Sequence, residues 1–191
     1  MTATQPSRLL SALFETVDGE WPLTVLNVGP ALPETVEFFS GFRCKLHIAD
    51  LYTELPFRVP DDDHLPGLDS QLEEALELPG GALFDICLFW DVLNFMNREA
   101  IAVLMAKLRP HLHPGSRAHC FAVHSPKTPV ATDYFGIVSS TEFRVRQRPE
   151  PPPDYQPHPQ GELVSLLKFF QVDRSVLMPD RRIELLLNAR L

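Results

Sequence analysis

The chain has 191 residues, 45% of them hydrophobic and 22% charged, with a formal net charge of −8. That length and composition suit one globular domain, 1–191, with a sizeable core. The acidic balance argues against bulk nucleic acid or an anionic membrane surface as partner. No apolar run approaches the roughly 20 residues that span a bilayer. The start, MTATQPSRLL, lacks a charged stretch followed by an apolar one, so the expected location is the cytoplasm. The three cysteines, Cys44, Cys87 and Cys120, lie far apart in apolar stretches with no CxxC, which predicts buried free thiols.

In chain order, Leu9, Leu10, Leu13, Phe14 and Val17 recur at helical spacing. They predict a helix over 7–18, capped by Ser7 and stopped by Gly19, as the main feature of an N-terminal segment 1–20. LTVLNVG (23–29) reads as a buried strand ending at Gly29, and PETVEFFSG (33–41) as a short helix with proline in its first turn. CKLHIADLY (44–52) is a second strand, and 55–59 a rudimentary third. LDSQLEEALEL (68–78) is helical. The stretch 82–95 is nearly continuous in apolar residues, as an interior parallel strand is. A helix over 97–110 follows, with Asn97 as its cap and Pro110 as its end. A strand over 114–123 comes next. Residues 125–160, with prolines concentrated at 149–159, read as an extended excursion within the domain. A last helix (161–170) and two strands joined at Pro179-Asp180 close the chain.

Strands alternating with helices predict a parallel sheet covered by helices on both faces. This order, with its closing antiparallel hairpin, resembles the class I S-adenosylmethionine-dependent methyltransferases. Four stretches carry the resemblance in order: VLNVGPA, LHIADLY, FDICLFWDVLNFM and LRPHLHPGSRAHCFAV. It implies an α/β, Rossmann-like sheet, mostly parallel, with the C-terminal hairpin antiparallel. The implied cofactor is S-adenosylmethionine. Gly29, Pro30 and Ala31 stand at the turn that would face its methionine part. Asp50 and Leu51 stand at the strand end that would hold its ribose, and Trp90 lies beside it. Asp91 and Asn94, in the loop after the fourth strand, are the candidate catalytic or substrate groups. Independently of any family, ligands in open α/β sheets bind at the carboxyl ends of the strands. A glycine there lets a ligand approach the backbone.

The turn departs from the pattern. It reads Gly29-Pro30-Ala31-Leu32-Pro33, where closely spaced glycines are usual, and Asn27 replaces a frequent acidic residue. Proline supplies no N–H and stiffens the loop. The interval from Asp50 to Phe84 is also short. Two readings follow: a diverged methyltransferase acting on a small molecule or a protein, or a catalytically inactive relative serving as a protein-interaction module. No metal is expected, because nothing near His111 and His113 completes a ligand set. His119 and His124 read as core or edge residues, and DDDH (61–64) as a solvated acidic loop. RVRQR (144–148) and the prolines after it suit either a partner-binding segment or a loop laid over its own domain.

Overall fold

A computed structural model describes residues 2–191 apart from 16, 18–21, 62, 63, 65, 131 and 132. The chain opens with a strand, β1 (Thr2–Pro6), and only then enters a short helix, α1 (Leu10–Phe14). Ser7 Oγ accepts the Leu9 and Leu10 N–H groups at 3.1 and 2.9 Å, so Ser7 does cap this turn. Gly19, the expected stop, lies outside the described residues. The elements that follow are β2 (Leu23–Asn27), α2 (Pro33–Ser40), β3 (Cys44–Ile48), α3 (Leu68–Leu76) and β4 (Phe84–Trp90). Then come α4 (Arg98–Leu108), β5 (Leu112–Val123), β6 (Asp133–Ser139), β7 (Glu142–Gln147), α5 (Gln160–Leu166), β8 (Phe170–Leu177) and β9 (Arg182–Ala189).

The main sheet has six strands in the order β3-β2-β4-β5-β9-β8. Its first four strands are parallel, and β9 and β8 form the antiparallel close. Strand periodicity divides the core in two. Cys87 and Phe89 of β4 join Leu26, Leu104 and Leu185 on the face covered by α3, α4 and α5. Ile86, Leu88 and Trp90 point to the other face, with Val25, Phe121 and Leu186. Asn97 caps α4 by accepting the Ala100 N–H at 2.7 Å, which satisfies one of the helix's unpaired donors. Among the described residues, no helix is long and apolar enough to cross a membrane. All three cysteines are free. Burial pushes the half-buried Cys44 thiol up to about 11 and the buried Cys120 thiol up to about 12.

Three expectations are corrected. Residues 55–59 form no strand, so β3 is the edge of the sheet. Strand β4 ends at Trp90, and residues 92–95 turn into a single 3-10 turn. The segment 125–160 is not extended throughout: β6 and β7 pair in it as a hairpin. β1 adds to that hairpin, giving a second sheet in the order β1-β7-β6. The tyrosine, phenylalanines and β-branched residues of 134–145 supply strand-forming side chains, and only the run after Arg148 is dominated by proline.

This second sheet lies against α2. Thr35 Oγ1 accepts the Ile137 N–H at 3.1 Å, and Arg146 forks onto Glu34 through Nε (3.0 Å) and Nη2 (2.8 Å). Partial burial works against the Glu34 carboxylate, but the Arg146 bonds prevail and hold it below its ordinary value. Glu34 lies directly over Gly136, where a Cβ would stand 2.7 Å from its Oε1. Gly136→Ala should therefore push Glu34 off its arginine and cost about 1–3 kcal/mol. Urea denaturation reads this, and the loss should shrink when Gly136→Ala is made in a Glu34→Ala background.

Candidate functional site

The carboxyl ends of β2, β3 and β4 meet at Gly29, Asp50 and Trp90. The turn after β2 offers few donors. Pro30 and Pro33 have no N–H, the Leu32 N–H is engaged by Pro30 O at 2.9 Å, and the Glu34 N–H by its own carboxylate. Asn27 holds the turn from beneath. Its Nδ2 donates to Gly29 O (2.9 Å) and Pro30 O (3.3 Å), and its Oδ1 accepts the Trp90 indole N–H at 2.6 Å. That last bond draws the indole across the glycine. A Cβ on Gly29 would stand 3.0 Å from Trp90 Cδ1 and 3.7 Å from Tyr52 Cε2.

Trp90 is 2% exposed and has a φ of +52°. For a bulky residue this left-handed conformation is strained by about 1–3 kcal/mol. The ring's burial offsets it: the indole stacks on Phe135 of β6 (centroids 6.0 Å, planes 16° apart) and meets Phe143 of β7 edge-on at 5.9 Å. The second sheet thus backs the side chain that covers Gly29.

Asp91 follows, buried, and its Oδ1 accepts the Tyr52 hydroxyl. Arg148 brings Nη2 to within 3.5 Å of the same oxygen. Its guanidinium lies 3.6 Å from the Tyr52 ring centroid and 4.5 Å from that of Tyr134, a cation between two aromatic faces. Burial raises the Asp91 carboxyl above its ordinary value, partly opposed by Arg148 and the Tyr52 hydrogen bond. Burial, and then the charge of Asp91, push the Tyr52 phenol well up, so it remains a donor.

Asn94 is held entirely by backbone. Its Nδ2 donates to Phe121 O (2.8 Å), its Oδ1 accepts the His158 N–H (3.2 Å), and its own carbonyl accepts the Gln156 N–H (2.7 Å). These bonds fasten the proline-rich segment over the ends of β4 and β5. His158 Nε2 at Met96 O (2.8 Å), Tyr155 against Phe95 (5.4 Å) and Arg58 Nε on Asp154 (2.8 Å) add to them.

The fold thus gathers Gly29, Trp90, Asp91 and Asn94 at one end of the sheet. Asp50 lies beside them, half-buried, with Oδ1 accepting the Tyr52 N–H at 3.2 Å; burial raises its carboxyl. Leu51 is fully buried in the core, Pro30 is half-buried and Ala31 is exposed. His111 and His113 take separate partners, Ala82 O at 2.8 Å and Asp85 Oδ1 at 3.1 Å. Tyr52, Tyr134 and Arg148 are central to the site without any signal in the sequence, whereas Asn27 stands out there as a departure at the turn. Only the local density of arginines at 144–148 drew attention to that stretch, and nothing in it distinguishes Arg148 from Arg144.

The fold is that of the class I methyltransferases, a mixed α/β sheet, mostly parallel, with antiparallel strands at its end. The chain is similar in structure to 1,6-didemethyltoxoflavin-N1-methyltransferase of Burkholderia thailandensis, solved with 1,6-didemethyltoxoflavin and S-adenosylhomocysteine. Identity is 17%, over 96% of this chain and 78% of that one, with a TM-score of 0.55. The CcbJ methyltransferase of Streptomyces caelestis is 12% identical over 96% and 94% of the two chains, TM-score 0.49. The glycopeptide N-methyltransferase MtfA with S-adenosylmethionine is 12% identical over 94% and 92%, TM-score 0.49. No protein-family model matches the chain, and no curated protein matches it in sequence.

Proposed function

We propose that this chain keeps the methyltransferase fold without the cofactor chemistry and serves as a protein-interaction module. The observation that carries this reading is the Trp90 indole, placed so close over Gly29 that a methyl group there would already crowd it. A glycine at this position is useful because its open face admits a ligand to the backbone. Here the open face is filled by the protein's own side chain. S-adenosylmethionine also presents a zwitterionic amino-acid group that needs donors, and the turn's prolines and engaged N–H groups supply few. The residues present therefore do not fit that cofactor.

Asp50 favours a second reading, a diverged methyltransferase acting on a small molecule or a protein, since its carboxylate keeps a strand-end position suited to ribose hydroxyls. Calorimetric titration with S-adenosylmethionine and S-adenosylhomocysteine separates the two. The expected result is no saturable heat at millimolar ligand. Micromolar binding that Asp50→Ala abolishes would overturn the proposal and establish the second reading.

A further inference from the structure

A groove runs between the two sheets. It encloses about 970 Å³ and is bordered by Pro6, Arg8, Val176, Leu177, Met178 and Arg181. Both strands beside it, β1 and β8, are edge strands: among the described residues β1 pairs with β7 alone, and β8 with β9 alone. An edge strand carries a row of unpaired N–H and C=O groups that another chain can join. The groove is mostly apolar, and Leu177 is 60% exposed, second only to Val59 at 64% among the large hydrophobic side chains of the described residues. Arg8 and Arg181 are exposed, and neither side chain has an ion-pair partner among the described residues. Asp180, the acidic residue of the lining, is engaged by Arg182. In a chain whose net charge is −8, this groove joins an apolar floor to uncompensated positive charge.

We infer that this groove receives an extended segment of a partner protein in which apolar and acidic residues alternate. Side chains on one face of an extended strand recur every second residue. Such a segment can therefore place its apolar side chains on the exposed Leu177 and Pro6 and its carboxylates toward Arg8 and Arg181, while its backbone pairs with an edge. The inference names a partner surface for the interaction-module reading and rests on that reading only for its biological use. The contacts themselves do not involve the Gly29 end.

The test uses the full chain and a dye-labelled octapeptide of alternating glutamate and leucine, followed by fluorescence anisotropy. Saturable binding is expected. It should weaken about tenfold or more in the Arg8→Glu/Arg181→Glu double variant and in Leu177→Asp, and fall as salt rises. The same peptide with lysine for glutamate should bind about tenfold more weakly. No saturable binding at millimolar peptide, or equal affinity for the lysine peptide or the charge-reversed variant, would overturn the inference. A concentration-dependent dimer in sedimentation that the double variant loses would also overturn it, by assigning the groove to a second copy of the chain. Circular dichroism of each variant separates loss of the surface from loss of the fold. Cofactor titration fails or succeeds independently: binding of S-adenosylmethionine would remove the reading above and leave the groove standing.

Discussion

Glu184→Leu is expected to destabilise the fold by about 3–5 kcal/mol, the range for breaking a buried charged partnership. Glu184 and His119 are both fully buried. The carboxylate accepts the Ser7 hydroxyl at 2.5 Å, the Arg8 N–H at 3.0 Å and His119 Nε2 at 3.0 Å. It thereby ties the start of the chain to β5 and β9, where the parallel part of the main sheet meets its antiparallel close. Leucine leaves those donors buried without an acceptor. Urea denaturation at neutral pH measures the loss, and a change under about 1 kcal/mol would mean that water reaches the cluster.

The same cluster predicts a pH dependence. Burial opposes ionisation of Glu184, but the bonds from His119, Ser7 and the Arg8 N–H prevail and hold the carboxyl below its ordinary value. The folded state therefore binds this proton less tightly than the unfolded chain does. The stabilisation is fully present above the ordinary carboxylate range and is lost as pH falls through the folded value. Glu34 contributes with the same sign and Asp91, held high by burial, with the opposite one. The difference between wild type and Glu184→Gln isolates the Glu184 part, and it should shrink on acidification.

Trp90→Ala is expected to cost about 3–5 kcal/mol, as for other buried aromatic truncations. It removes the ring packed on Phe135 and Phe143 and leaves Asn27 Oδ1 without its indole donor. The strained φ returns none of this, because alanine keeps the Cβ that crowds the backbone in the left-handed region. At roughly 2–4 °C per kcal/mol for a chain of this size, the melting temperature should fall by about 6–20 °C. The variant also tests what closes the cradle. Removing the indole makes space but adds no donor to Pro30 or Pro33. S-adenosylhomocysteine is therefore expected to leave the melting temperature of the variant unchanged. A ligand-dependent rise would show that the indole alone excludes the cofactor.

Much of the fold was legible in the chain because its signals are local. The apolar run of β4, the stripe of Ile101, Leu104, Met105 and Leu108 behind an Asn97 cap, and the hairpin across Pro179-Asp180 each declare themselves within a dozen or so neighbouring residues. The altered turn at Gly29-Pro30 was equally plain, because proline's missing donor is a property of the residue itself. β1 and the β6–β7 hairpin were not legible. β1 is a strand because Thr2–Pro6 meets Glu142–Gln147, more than a hundred residues away, and the neighbouring prolines masked the alternation in β6 and β7.

The site divides along the same line. The resemblance to the methyltransferases implies that Gly29, Asp50, Asp91 and Asn94 share one end of a parallel sheet, whereas the apolar runs at 44–52 and 82–95 read as strands through Asp50, Asp91 and Asn94 and the structure ends those strands at Ile48 and Trp90. Whether that end stands open depended on partners distant in sequence: Asn27 with Trp90, Tyr52 with Asp91, Arg148 between Tyr52 and Tyr134, and Asn94 with Gln156 and His158. Strand and helix signals arise from backbone preferences of near neighbours. A filled cradle arises from side chains that only long-range packing brings into one volume, and no spacing rule along the chain encodes it.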